Sequence, residues 1–374
     1  MLEVPAYGRA SLADLMPSVL ASLGVPGERD VLALPPTSRA VVLLVDGLGA
    51  QLLRRHAALA PYLSSLTARD LTSGFPATTA TSLSSLGTGL SPGEHGITGY
   101  TSFVQELDET VGWLTWSGPG DLRERLVPEQ VQPRPTVFER AQAAGVEVTV
   151  AAPAAFDGSG LTRAVLRGGA YRGTLTPGDV VATAAQGCRR GRRSLVYCYT
   201  PDLDLTGHVR GVDSDAWRSQ LVLVDGFAEE LAARLPPGTS LHVTGDHGMV
   251  DVPVEDKVDA DTCGALREGV RALAGEPRAR HVHAVAGAEA DVLARWQAEL
   301  GDRMWVGSRD DAVRAGLFGP VVSPAARSRI GDVVAIATSS VAVVRWETEA
   351  RFSSLLGQHG ALTDDERLVP LLST

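Results

Sequence analysis

The stretch A-V-V-L-L-V-D-G-L-G, residues 40–49, joins six consecutive apolar residues to an acidic residue and a glycine turn. Unbroken apolar runs of this length are typical of strands buried in a mainly parallel sheet. The same pattern recurs at Val146–Ala151, Ser194–Tyr199 and Ser240–Thr244. Helical patterns lie between these runs, as at Val137–Ala144 and Trp217–Leu235. The alternation predicts an α/β fold with a doubly wound, mainly parallel sheet flanked by helices.

The composition changes between residues 252 and 328, where Arg and Ala become more frequent. Helical patterns at Cys263–Ala274 and Ala288–Leu300 surround a short predicted strand at His281–Val285. Beyond this segment we expect core strands again, at Val333–Ala337, Val341–Val344 and Leu368–Leu372. We therefore predict a catalytic core of residues 1–251 and 329–374, with residues 252–328 inserted as an α+β cap.

Bulk properties exclude some classes of function. The net charge of the 374 residues is −10, so a basic face for a nucleic-acid duplex is not expected. The sequence shows neither a signal-peptide pattern nor an apolar run long enough to span a membrane. Its three cysteines form no C-x-x-C pair and are expected to be reduced thiols. These features together predict a cytoplasmic protein, and they leave its oligomeric state open.

Acidic and imidazole side chains follow the predicted strands. Asp46 ends one strand, Asp204 follows another, and Asp246-His247 ends a third. Because ligands of such sheets bind at the carboxyl ends of the strands, we expect these side chains to meet at one edge. We expect His208 and His359 in glycine-containing loops, where they would complete a set of three Asp and three His. Imidazole with carboxylate suits Zn²⁺, and six such ligands are enough for two ions.

Two other histidines form a weaker candidate pair. His281 and His283 alternate on one predicted strand, so that both point to the same face. No acidic or thiol partner lies near them in the sequence, and we interpret them as packing or surface residues.

The segment F-P-A-T-T-A-T-S, residues 75–82, precedes a predicted helix at Ser82–Leu86. Ser and Thr are common helix caps, which gives these residues a structural explanation. A hydroxyl at a helix N-terminus also meets free N–H groups and the positive end of the helix dipole, which favour an anionic phosphoryl group. Spacing alone does not choose among the four hydroxyl residues, which are Thr78, Thr79, Thr81 and Ser82.

In these motifs the sequence resembles the alkaline phosphatase superfamily and, more closely, its nucleotide pyrophosphatase/phosphodiesterase branch. The motifs occur in the family's order and cover most of the chain outside the predicted cap. They are VVLLVDGLG (41–49), FPATTATSLSSLGTGLSPGEHGI (75–97), YTPDLDLTGHVRG (199–211), VTGDHGMVD (243–251) and GQHGA (357–361).

The resemblance implies a role for three residues around the nucleophile. Thr79 matches the residue that attacks phosphorus, and backbone N–H groups near Ala80 would help stabilise the charge that develops. Ser82 stands where related diesterases often carry an Asn that binds a phosphoryl oxygen. A serine side chain is shorter than that Asn, which leaves the substrate class open.

The resemblance also implies two zinc ions, with manganese as the alternative metal of neighbouring branches. Thr79 would bind the first ion together with Asp46, Asp246 and His247. The second ion would be held by Asp204, His208 and His359.

The expected function is therefore a two-zinc hydrolase of phosphodiester or pyrophosphate bonds that forms a phospho-threonine intermediate. Its substrate would be a small, nucleotide-like phosphate ester. A phosphonoacetate hydrolase and a phosphomonoesterase of the same superfamily are alternatives within the enzyme class. A metal-binding protein without turnover is an alternative outside it.

Overall fold

The computed structural model describes residues 2–118 and 120–374 and is built around one seven-stranded sheet. Leu368–Ser373 runs antiparallel to its two neighbours, and the other six strands share one direction. This confirms the α/β fold with its mostly parallel sheet. In order across the sheet, the strands are Thr67–Thr72, Leu368–Ser373, Thr239–Thr244, Arg39–Val45, Ser194–Thr200, Glu147–Pro153 and Ala170–Thr174.

The central strand Arg39–Val45 explains why its sequence is apolar without alternation. Ala40, Val42 and Leu44 point into one hydrophobic core, whereas Val41, Leu43 and Val45 point into the other. Both faces of the strand are thus covered by helices, and residues 40–45 are all fully buried. One face is covered by Leu12–Ser22, Thr79–Thr88, Val137–Ala143 and Gly160–Val165, and the other by Ala50–Arg55, Pro177–Gly187 and Asp215–Arg234.

A second, four-stranded antiparallel sheet lies in the C-terminal third of the chain, and we call it the inserted sheet. It packs around Trp296 and Phe318, with the helices Glu289–Leu300, Arg309–Arg314 and Pro324–Arg329 beside it. Its strands, in spatial order, are Val270–Glu276, Ala279–Ala284, Val333–Ala337 and Met304–Ser308.

The inserted sheet differs from the sequence prediction in two places. The predicted helix Cys263–Ala274 is helical only at Gly264–Arg267, and its second half is the strand Val270–Glu276. Val333–Ala337, predicted as a core strand, pairs instead with Ala279–Ala284 and Met304–Ser308. An apolar run of five residues fits a buried strand of either sheet, so its sequence could not choose between them.

The remaining strands are short. Four short strands, three between residues 101 and 118 and one at residues 120–121, form a small sheet that the sequence pattern did not predict, and we call it the side sheet. Two further pairs join Val250–Asp251 to Gly357–Gln358 and Lys257–Asp259 to Ala342–Val344. The side sheet consists of Thr101–Val104, Glu109–Gly112, Ser117–Gly118 and Gly120–Asp121.

Several short helices and single turns complete the described chain. No helix within residues 2–118 and 120–374 has both the length and the apolar character needed to cross a bilayer. The short α-helices are Pro61–Ser65, Pro92–His95, Pro128–Val131, Asp202–Arg210, Gly264–Arg267, Ala350–Ser354 and Asp364–Arg367, and the 3₁₀ turns are Ala57–Leu59, Ala154–Phe156 and Val254–Asp256.

Candidate metal centre

Three neighbouring strands of the seven-stranded sheet place three carboxylates at one edge of that sheet. Thr239–Thr244, Arg39–Val45 and Ser194–Thr200 lie side by side and run in the same direction. Their carboxyl ends therefore lead into Asp246, Asp46 and Asp204 at the same level of the sheet. The sheet order thus explains why acidic residues that are far apart in sequence meet in space.

Asp46, Asp246 and His247 form one group whose potential ligand atoms all lie within 4.8 Å of one another. His247 Nε2 lies 3.6 Å from Asp46 Oδ1 and 3.4 Å from Asp246 Oδ2. All three residues are buried. The second oxygen of Asp46 accepts a hydrogen bond from the hydroxyl of Tyr199.

A second group lies directly beside the first. Potential ligand atoms of Asp204, His247 and His359 also fall within 4.8 Å of one another. His208 Nε2 lies 3.3 Å from Asp204 Oδ2. The rings of His247 and His359 stack with centroids 3.6 Å apart, and those of His208 and His359 lie 5.0 Å apart. His247 therefore stands between the two groups, and His208 joins them through Asp204.

The imidazole rings of His208, His247 and His359 use their two nitrogens in the same way. In each ring, Nδ1–H donates to a backbone carbonyl, which leaves the Nε2 lone pair free to bind a metal ion. This arrangement, in which a backbone acceptor fixes the ring, is common among metal-binding histidines. The three hydrogen bonds are His208 Nδ1 to Gly357 O at 2.7 Å, His247 Nδ1 to Gly248 O at 2.9 Å and His359 Nδ1 to Ala77 O at 2.9 Å.

The buried carboxylates of the site carry negative charge that a bound cation would balance. Asp204 Oδ1 and Asp246 Oδ2 are buried and find no hydrogen-bond partner among the described residues. Burial, together with the charges of Asp246 and Asp204, raises the pKa of Asp46 well above its usual range. Burial likewise raises the pKa of Asp204. Because unpaired buried carboxylates are costly, this donor set of oxygens and imidazole nitrogens fits divalent cations.

Thr79 is the first residue of the helix Thr79–Thr88 and faces the first group of ligands. Its Oγ1 lies 3.1 Å from His247 Nε2 and 3.5 Å from Asp46 Oδ1. The Thr81 hydroxyl donates to Ile97 O instead, and Thr78 Oγ1 has no partner in the described chain. Of the four candidate hydroxyls, the one at position 79 therefore lies against the candidate metal ligands.

The structure gives the Ser82 hydroxyl a different contact from the one expected. Ser82 is fully buried, and its Oγ donates to the backbone carbonyl of Asp246 at 2.7 Å. The hydroxyl proton thus supports the loop that carries Asp246 and His247, and a contact of Ser82 with substrate stays a prediction. Ala80 is buried in the first turn of the same helix, where backbone N–H groups have no acceptor one turn earlier.

The glycines of the D-G-L-G and D-H-G motifs allow the loops to approach closely. A Cβ on Gly248 would lie 1.9 Å from the carbonyl oxygen of Asp365 and 3.0 Å from the Cα of Gly49. Real Cβ atoms do not come so close to backbone. Small residues at both positions are thus what brings the loop after Asp46 against the loop after His247.

Sequence reasoning missed Tyr199 as a member of the site. It lies on the strand Ser194–Thr200, in the run Tyr197-Cys198-Tyr199, and every residue of that strand is buried. Without alternation of polar and apolar residues, no signal in the sequence separates Tyr199 from Tyr197. The structure does so, because the Tyr199 hydroxyl donates to Asp46, whereas the Tyr197 hydroxyl has no hydrogen-bond partner among the described residues.

A cavity of about 1160 Å³ opens above the candidate metal ligands. Its floor includes Asp46, Thr79 and Asp204, and its walls come from the side sheet, the inserted sheet and the helix Ala350–Ser354. Tyr100 and Phe352 pack edge to face in this wall, with ring centroids 4.9 Å apart. The lining also includes Arg345, Arg351 and the buried Glu276, which lie outside the ligand motifs of the sequence.

The fold of the chain is similar to the folds of several solved structures. The chain is similar to murine ectonucleotide pyrophosphatase/phosphodiesterase 5, with a TM-score of 0.70, 19% identity and coverage of 89% of this chain and 87% of that one. An inactive form of that murine protein in complex with AMP gives a TM-score of 0.67 and 18% identity over the same shares.

A phosphonoacetate hydrolase from Sinorhizobium meliloti 1021, in complex with phosphonoacetate, is equally similar in fold. Its TM-score is 0.69, with 20% identity over 93% of this chain and 92% of that one. No curated protein sequence matches the chain. A sequence model of the type I phosphodiesterase/nucleotide pyrophosphatase family, however, matches residues 40–362. The chain therefore belongs to the type I phosphodiesterase/nucleotide pyrophosphatase family of the alkaline phosphatase superfamily.

Proposed function

We propose that the protein is a two-zinc hydrolase of phosphodiester or pyrophosphate bonds in small, nucleotide-like substrates, with Thr79 as the nucleophile. One observation carries the proposal: the Thr79 hydroxyl lies 3.1 Å from His247 and 3.5 Å from Asp46, on the floor of a large cavity. Family membership supports the same chemistry.

The six candidate ligands divide between two ions. Asp46, Asp246 and His247, with Thr79, would hold the ion on the nucleophile side. Asp204, His208 and His359 would hold the other, and His247 would lie between them. Three imidazoles favour zinc, with manganese as the alternative. When bound, the ions supply positive charge that lowers the pKa of the attacking hydroxyl and stabilises the phosphoryl oxygens.

The chain's own groups carry the rest of the reaction. Thr79 Oγ1 forms a bond to phosphorus as the bond to the leaving oxygen breaks, which gives a phospho-threonine. Water then attacks phosphorus and releases Thr79. Free N–H groups in the first turn of the helix, including that of Ala80, face the developing negative charge. Tyr199 holds Asp46 in place through a hydrogen bond to its second oxygen.

One observation favours a second candidate, a phosphonoacetate hydrolase. Arg345 and Arg351 line the cavity, and guanidinium groups bind carboxylates. The related hydrolase from Sinorhizobium meliloti 1021 is described in complex with phosphonoacetate. An arginine in the cavity wall would equally suit the second phosphate of a pyrophosphate bond.

A hydrolysis panel with the purified protein tests the proposal. The substrates are a nucleotide diester, a dinucleoside polyphosphate, phosphonoacetate and a nitrophenyl monoester, each with zinc-loaded and with chelated protein. We expect zinc-dependent hydrolysis of the diester or the polyphosphate. Hydrolysis of phosphonoacetate alone would favour the second candidate, and zinc binding without any turnover would leave a metal-binding protein.

A further inference from the structure

A short segment of the chain connects the loops of the site, and we call residues 357–367 the return segment. His359 Nδ1–H donates to Ala77 O at 2.9 Å, and Ala77 N–H donates back to Gly360 O at 3.1 Å. At its other end, Glu366 O accepts from the N–H of Gly248 at 2.8 Å. The return segment thus fixes His359 and also contacts the loop that follows His247.

The carboxylate of Glu366 organises the return segment from within. Oε1 accepts from Ala361 N–H at 3.0 Å, and Oε2 accepts from the Thr363 hydroxyl at 2.6 Å. Both oxygens also accept from Arg278, which donates from Nε and Nη2 at 2.8 Å each. Glu366 and Arg278 are 0% and 1% exposed. The carboxylate is thereby held by four donors without contact to solvent.

Arg278 belongs to the inserted sheet rather than to the core. It lies in the turn between the strands Val270–Glu276 and Ala279–Ala284, and its Nη1 donates to Ser339 O and Val341 O. A buried ion pair is weak evidence for stability, because desolvation offsets its attraction. A bidentate guanidinium–carboxylate pair does, however, fix direction, since two parallel hydrogen bonds allow one relative orientation.

We infer that Arg278, acting through Glu366, is a positioning residue that holds His359 in its ligand geometry. The inference rests on the proposed function, in which His359 binds one of the two ions. It also gives the inserted sheet a second role, because a part of the chain that lines the substrate cavity then sets the affinity of a metal site in the core.

The same hairpin offers a matched control. Arg280 is also fully buried, and it donates from Nε to Val343 O and from Nη2 to Glu349 Oε2 at 2.8 Å. Glu349 lines the cavity and is not part of the return segment. The two arginines thus connect the inserted sheet to different places. Arg278 binds the return segment, and Arg280 binds Glu349 in the wall of the cavity.

The experiment compares Arg278→Lys with Arg280→Lys in the zinc-loaded chain of 374 residues. Zinc affinity is measured by competition with a chromogenic chelator, and folding by circular dichroism. For Arg278→Lys we expect one of the two zinc ions to bind about 10- to 100-fold more weakly, the range for residues that support a metal ligand. Its kcat should fall with little change in KM. Arg280→Lys should keep both zinc affinities and raise KM.

A milder variant covers the case in which Arg278→Lys does not fold. Thr363→Val removes one hydrogen bond to Glu366 and keeps the shape of the side chain. It should lower the affinity for the same zinc ion by a smaller factor. Zinc affinities within twofold of the wild type in a folded Arg278→Lys, or in Thr363→Val, would overturn the inference. A wild-type protein that binds no zinc would instead contradict the proposed function.

Discussion

Four hydroxyl side chains lie within five residues at the start of one helix, and their surroundings differ. Thr79 faces Asp46 and His247, whereas the hydroxyls of Thr81 and Ser82 donate to backbone carbonyls. We therefore expect Thr79→Ala to lower kcat by roughly 10³-fold or more, as for other nucleophiles. Thr81→Ala should change it far less.

Steady-state kinetics on an aryl diester checks this prediction, with zinc content as the control for an intact site. Thr78→Ala is a second comparison, because Thr78 lines the cavity beside Thr79. Near-normal turnover in Thr79→Ala would show that another group attacks phosphorus.

The candidate ligands predict a definite metal content. Elemental analysis of the zinc-loaded protein should give about two equivalents, and Asp246→Asn should lose one, because Asp246 offers a buried oxygen without a partner in the described chain. His281→Ala is the control. His281 is buried in the inserted sheet, where its Nδ1 accepts from Gly331 N–H, and it belongs to neither metal-capable group of the described residues. Loss of zinc in that variant would reverse our interpretation.

We expect Glu276 to make the free energy of unfolding depend on pH. Burial raises the pKa of its carboxyl to about 8, although Tyr100 N–H donates to it. A raised folded-state pKa gives stability that is present below the unfolded value of roughly 4.5 and is lost as pH rises to about 8. Over that range the slope is at most about 1.4 kcal/mol per pH unit.

Glu276→Gln keeps an acceptor for Tyr100 and removes the titration. Urea unfolding of the metal-free protein should therefore show the variant gaining stability relative to the wild type between pH 5 and pH 8. Parallel curves for the two proteins would mean that Glu276 does not titrate in this range.

At the scale of elements, the helix Thr79–Thr88 depends on close packing at Gly87. A Cβ there would lie 2.0 Å from Val165 O, in the neighbouring helix Gly160–Val165. Gly87→Ala should therefore push the two helices apart and cost about 1–3 kcal/mol of unfolding free energy. Activity should fall as well, because Thr79 begins the same helix.

Gly226 provides the opposite case for the same denaturation measurement. It lies inside the helix Asp215–Arg234, and in the described chain a Cβ there would meet nothing within 4 Å. Gly226→Ala should add about 0.5–1 kcal/mol, because alanine favours the helix over glycine. Equal destabilisation by both substitutions would argue against close packing as the cause at Gly87.

At the scale of the whole molecule, we expect the cavity to favour substrates with two substituents on phosphorus. The segment from Gly74 to Leu90 contains no Arg or Lys to match a monoester dianion. Apolar side chains, among them Leu83, Leu205 and Val209, line the cavity and could pack against a second substituent. We expect kcat/KM for a nitrophenyl diester to exceed that for the monoester by about tenfold, the effect of one charge-assisted hydrogen bond.

Arg345 and Arg351 also line the cavity, and a guanidinium group there could match the second negative charge of a monoester. The two rates are to be measured at the same zinc concentration and pH, with Arg351→Ala as a companion variant. A ratio that favours the monoester and reverses in Arg351→Ala would place the selectivity in that arginine, and it would leave the metal and nucleophile assignments unchanged.

The sequence alone determined the features that are encoded locally. The apolar run before Asp46 indicated a strand covered on both faces, and the acidic residues after three such strands indicated their meeting at one sheet edge. Glycines beside the ligands indicated tight turns. These signals survive in one sequence because each depends on a few consecutive residues and on general rules for parallel sheets.

The tertiary structure decided what depends on partners distant in sequence. Val270–Glu276 contains Ala and Leu, which favour helices, but pairing with Ala279–Ala284 makes it a strand. The Ser82 hydroxyl donates to the backbone carbonyl of Asp246, which lies 164 residues away in the sequence. The pair of Arg278 with Glu366 spans 88 residues. Hydrogen bonds and burial of this kind are properties of the packed chain, and local periodicity carries no record of them.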